Sequence, residues 1–214
     1  MRLHTLQSKL ESIYEFQVAQ RIDDFLTTDS GFVSGFTDSS QHAREQVLLQ
    51  QEGNDYLLSL YLDQQVYNRF SQASVPEAMC HQQASAFCLA VEGVSHFLYL
   101  CWNAGFEREV TRLELEIQAE VDKYLMLLEY ANGDSGQVHP WLFENWHLEV
   151  GLSEEEQSRY EKANTYASKY CRGLQERYLR IGRKTEMLRE LRRFYRKTQI
   201  QKLNMIDKLA PTIS

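Results

Sequence analysis

The chain has 214 residues, of which 43% are hydrophobic and 25% charged, and it carries a net charge of −7. Length and composition fit one ordinary globular domain, large enough to bury a good core. The N-terminal MRLHTLQSKLESIYEF lacks an apolar h-region, which argues against a secretory signal, and no apolar run is long and unbroken enough to predict a membrane span.

Three prolines and ten glycines are few breakers for this length, and they predict long helices. Leu3, Leu6, Leu10, Ile13, Val18, Ile22 and Phe25 recur at helical spacing, predicting a first helix to about Leu26. The stretch 27–40, rich in Gly, Ser, Asp and Thr, predicts a loop whose Phe32 and Phe36 dock on the core. VLLQQ, EGND and YLLSLYLD predict a small β-hairpin over residues 45–63, with Tyr56, Leu58, Leu60 and Leu62 on one face.

Ser74 and Pro76 form a helix start, and the helix is expected to run to about Asn103, ended by Gly105. A second helix is expected from about Arg108 to Tyr130, with Leu113, Ile117, Val121, Tyr124 and Leu128 as its core stripe. Residues 132–140 read as a loop, followed by a turn or two of helix. Ser153 and Glu156 form a capping box that opens a helix to about Arg180, with Gly182 as its break. A last amphipathic helix is expected from Lys184 to Leu209, before Pro211; the segment 183–214 is thus a basic C-terminal helix and tail. The expected product is a mainly α single domain, a bundle of about five helices with one hairpin.

Three constellations stand out. The segment Ala84–Trp102 is strongly apolar, and Glu92 is its one formal charge, with His96 four residues later. The two point the same way, and Tyr99 falls within about 40° of them on a helical wheel. A carboxylate there needs an answering group. Antiparallel packing of the next helix would offer Glu114 or Glu120, and a Glu/His/Glu set binds a divalent metal or tunes a general base. The sequence favours the plainer reading of a self-satisfied buried pair. Glu-x-x-x-His is not the Glu-x-x-His spacing of ferritin-like carboxylate sites, and Glu144–His147 has that spacing but stands alone.

From Arg172 to Lys208 there are 12 Lys/Arg against 4 Asp/Glu, a local +8 that leaves −15 on the remainder. Arg189, Arg192, Arg193, Arg196 and Lys197 are candidates for contacting an anion or a partner. The acidic balance of the whole chain makes nucleic acid the less favoured partner. Tyr160, Tyr166, Tyr170 and Tyr178 read as a core or interface stripe.

No phosphate loop, dinucleotide fingerprint, G-x-S-x-G elbow or H-E-x-x-H motif occurs. Four cysteines without metal-finger spacing favour a reducing, cytoplasmic setting. The leading expectation is therefore a non-enzymatic interaction or accessory protein with a protein partner or self-association. The rivals are a metal protein or enzyme centred on Glu92 and His96, and a nucleic-acid-associated factor.

Overall fold

The structure is a computed structural model that describes residues 1–34, 44–52, 55–72, 81–130, 134–145 and 151–209; for 34, 51, 52, 55, 56, 81–83 and 130 only the backbone is described. The helix start at Ser74 and Pro76, the docking of Phe36, the turn at 53–54, Cys80, His147 and Pro211 lie outside these residues. The chain is mainly α with a small sheet. Among the described residues are nine α-helices, five of them with 12 residues or more. They divide into two compact units, Met1–Leu10 with Gln17–Phe106, and Glu11–Phe16 with Glu107–Ser214.

In the first unit, β2 (Glu45–Glu52) and β3 (Asp55–Leu62) pair antiparallel, as the hairpin pattern predicts. A two-residue strand, β1 (Leu26–Thr27), adds in parallel to β3, so the sheet order is β1-β3-β2. The register sets Glu45 opposite Leu62 and Val47 opposite Leu60. With side chains alternating at period two, these four share one face. Leu60 and Leu62 are fully buried, and both strands pack on α4 (His81–Ala104). The other face carries Leu48 and Tyr61, which cluster with Val33.

Val33 belongs to α2 (Ser30–Ser34), a single turn inside the stretch read as loop. Asp29 starts it by accepting from the Gly31 N–H at 2.8 Å. Phe32, expected in the core, is instead 41% exposed: it stands about 100° around the helix from Val33, which takes the inward position. A further unpredicted helix, α3 (Gln64–Gln72), is capped by Asp63, which accepts from the N–H groups of Gln65 and Val66; it buries Val66 and Phe70, one turn apart. Ala84–Ala104 of α4 is long and apolar enough to cross a membrane, but 67% of that window is buried inside the protein, which suits a core helix.

Helix α1 (Leu3–Tyr14) stops twelve residues before the predicted end at Leu26. Its last turn belongs to the second unit. Glu15 takes the left-handed conformation at φ 53°, and the Phe16 N–H bonds back to the Glu11 carbonyl at 3.2 Å, a Schellman ending without glycine. Tertiary contacts hold it. Arg192 donates to the Ile13 carbonyl at 2.9 Å, Arg196 to that of Tyr14 at 3.1 Å, and Phe16 stacks on Tyr195. These cations sit at the negative end of the helix dipole.

The second unit continues with α5 (Arg112–Tyr130), α6 (Ser135–Phe143) and α7 (Glu154–Arg177), which pack pairwise on one another. In α5 the predicted positions Ile117, Val121, Tyr124 and Leu128 are buried. Helix α6 replaces most of the loop expected at 132–140: Asp134 caps it, and Val138, His139, Leu142 and Phe143 are buried. The capping box at Ser153 and Glu156 is present, and Gly182 breaks the chain at φ 70°.

The expected C-terminal helix is two, α8 (Lys184–Tyr195) and α9 (Gln199–Asp207). The reason is a second capping box: Thr198 accepts from the Gln201 N–H while the Gln201 side chain accepts from the Thr198 N–H. Leu191, Phe194, Tyr195 and Ile206 are buried, with Tyr170 stacked on Phe194 at 4.0 Å.

Candidate functional site

Glu92 and His96 lie one turn apart on α4, and the side chain that joins them is Glu45 at the start of β2. One ligand-type atom from each of the three falls within 4.8 Å of the other two. His96 Nδ1 is 3.6 Å from Glu45 Oε1, beyond hydrogen-bonding distance but close to the spacing of two ligands on one ion. The side chains of Glu45 and His96 are 8% and 10% exposed, and Glu92 is half-buried. The sheet register explains the placement: it sets Glu45 on the buried face beside Leu60 and Leu62.

Gly93 lies between the two helical ligands. A Cβ there would stand 2.7 Å from Leu60 Cδ1 and 3.2 Å from Glu45 Oε1, so Glu45 passes over the helix where a side chain is missing. Glycine inside a helix costs about 1 kcal/mol relative to alanine, and here it allows a close approach.

The carboxylates of α5 predicted to face His96 have other partners. Glu114, 2% exposed, pairs with Arg108 and accepts from the Gln199 N–H at 3.1 Å; Glu120 pairs with Lys123 at 2.6 Å. Glu116 pairs with Arg159 at 3.6 Å. Tyr99 is fully buried on α4 but is not among the three clustered ligand groups. Glu144 bonds Arg172 at 3.2 Å. The sequence pointed to two of the three clustered side chains. Glu45 was missed because its nearness depends on pairing with a strand 17 residues away in sequence.

Of the basic candidates, Arg192 and Arg196 bind within the protein. Arg192 pairs with Glu15 at 2.8 Å and caps α1, and Arg196 caps the same helix end. Arg189 and Arg193 are exposed and line a shallow depression with Arg192 and Glu15; Lys197 is half-buried. Helix α8 turns its apolar face inward through Met187, Leu191 and Phe194.

Neither the His139–Ser168 pair nor the buried cysteines Cys101 and Cys171 have the arrangement of an activated nucleophile. Ser168 Oγ lies 3.4 Å from His139 Nε2, but the Ser168 carbonyl, which can only accept, lies 3.0 Å from the same nitrogen. That nitrogen therefore carries a proton and cannot take one from the hydroxyl. Burial lowers the pKa of His139. Burial also pushes the Cys101 thiol up to about 12 and raises that of Cys171, the reverse of what a cysteine nucleophile needs.

A buried polar network occupies the middle of the second unit. Lys202, fully buried on α9, donates to Gln118 Oε1 at 2.6 Å and lies over the Phe194 ring. Gln118 donates in turn to Tyr14 Oη and Asp122 Oδ1, both at 3.0 Å, and Tyr14 donates to Asp122. These contacts satisfy donors and acceptors within a packed core. Compared with family models, curated proteins and solved structures, the chain matches none.

Proposed function

We propose that this protein binds a divalent transition-metal ion through Glu45, Glu92 and His96. The observation that carries the reading is the convergence of two carboxylates and an imidazole within 4.8 Å, with two of the three side chains nine-tenths buried. Charge supports it. Two carboxylates against the largely apolar α4 are costly to desolvate, whereas two carboxylates, a neutral imidazole and a dication sum to zero. The mixed donor set suits Zn²⁺, Fe²⁺, Co²⁺ or Mn²⁺ better than Mg²⁺ or Ca²⁺, since imidazole is a ligand of the softer ions. Three protein ligands leave at least one position for water or another molecule, the pattern of open sites. The ligand set names no substrate, and the ion is read as resident, with no reaction assigned to it.

The test is metal analysis of protein purified without a histidine tag, after equilibration with each ion and dialysis. One equivalent of a transition ion should be retained by the wild type and lost in Glu45→Gln, Glu92→Gln and His96→Ala. At an ion concentration 100-fold above Kd, the wild type should gain about 2.7 kcal/mol of stability. Retention unchanged by His96→Ala, or no retained ion at all, would leave the cluster as a buried ion pair.

A further inference from the structure

We infer that Gly93 is a positioning residue of this centre, whose missing side chain sets how closely Glu45 approaches Glu92 and His96. This rests on the metal reading above. Gly93 occupies mid-helix in α4, where its conformation calls for no glycine: the residues of positive φ include Gly151 and Gly182 but not Gly93. Alanine would favour the helix more at such a place. What glycine supplies is room. An added Cβ would meet Leu60 Cδ1 at 2.7 Å, Glu45 Oε1 at 3.2 Å and Glu45 Cγ at 3.3 Å.

The first contact cannot be kept, and the other two are tighter than ordinary van der Waals packing. Leu60 is fully buried, so it has little space to retreat into. The side chain that must yield next is Glu45, and its oxygen is the ligand atom. Metal–oxygen bonds tolerate errors of only about 0.2 Å, so a displacement of a few tenths of an ångström is felt as lost affinity. The residue between the two helical ligands thus controls the ligand that comes from the sheet.

The experiment is a double-mutant cycle on Co²⁺ affinity, read from the visible absorption of the bound ion. Gly93→Ala should weaken Co²⁺ binding by about tenfold or more and shift the absorption spectrum, with secondary structure unchanged. In a Glu45→Gln background, which no longer keeps the ion through dialysis but binds it weakly enough to be titrated at higher Co²⁺, the same substitution should cost less than about threefold, because the oxygen it displaces no longer ligates. A general packing defect would lower affinity equally in both backgrounds, and that result would overturn the inference, as would wild-type affinity in Gly93→Ala. Should Gly93→Ala fail to fold, Gly93→Ala with Leu60→Val removes the Cδ1 contact while keeping the contact with Glu45, and it should show the same loss. A wild type that binds no Co²⁺ refutes the metal reading itself and this inference with it. A wild type that binds while Gly93→Ala binds equally refutes only the role of Gly93.

Discussion

Replacing Lys202 by methionine should change how the stability of this protein depends on pH. The ammonium is fully buried, and burial lowers its pKa from 10.5 to about 7 against the opposing attraction of Glu114 and Asp122. In the unfolded chain the lysine keeps its ordinary value. Between pH 7 and 10.5 the unfolded state therefore holds a proton that the folded state has lost, so this group makes stability rise with pH. A difference of about 3.5 pKa units at about 1.4 kcal/mol each amounts to about 5 kcal/mol across the window. Below pH 7 both states are protonated and the folded state carries that full cost.

Lys202→Met removes the cost but leaves Gln118 Oε1 without its 2.6 Å donor, a loss of about 1–3 kcal/mol. At pH 6 the variant should thus be about 2–4 kcal/mol more stable than the wild type. From pH 7.5 to 9.5 the wild type should recover about 2.7 kcal/mol relative to it. The comparison must be made as a difference. Tyr14, Tyr170 and Cys171, whose pKa values burial raises, pull stability down in the alkaline range of both proteins. Urea unfolding followed by circular dichroism at several pH values measures it. A wild-type-to-variant difference that stays constant within about 0.5 kcal/mol would refute the reasoning and mean that Lys202 titrates as in water.

In metal-free protein, His96→Leu should cost about 3–5 kcal/mol by leaving Glu45 and Glu92 without their imidazole, and Glu92→Gln in the same chain should recover part of it; chemical denaturation of the two variants decides. Bound transition metal should slow amide exchange in β2 and β3, since Glu45 would tie the hairpin to α4; equal exchange with and without ion contradicts this. Arg192→Ala should lose about 1–2 kcal/mol and raise exchange in the last turn of α1, where its guanidinium bonds the Ile13 carbonyl. Thr198→Ala should lose about 1 kcal/mol by opening the cap of α9, measurable as a lower urea midpoint.

Local rules in the sequence determined much of this protein. Periodicity marked α5, an apolar run stopped by Gly105 marked α4, alternation marked the hairpin, and Ser153 with Glu156 marked the start of α7, because each signal is complete within one element. Thr198 with Gln201 was an equally local signal, and the basic and apolar periodicity running across it hid the break between α8 and α9. The end of α1 was not legible: Glu15 in a left-handed conformation is stabilised by Arg192 and Arg196, whose bonds to the helix end span 179 and 182 residues. The same holds for the candidate site. Glu92 and His96 were evident as polar residues one turn apart in an apolar helix. Glu45 became their neighbour only through strand register, which a single sequence leaves open until the strands pair and one face is buried.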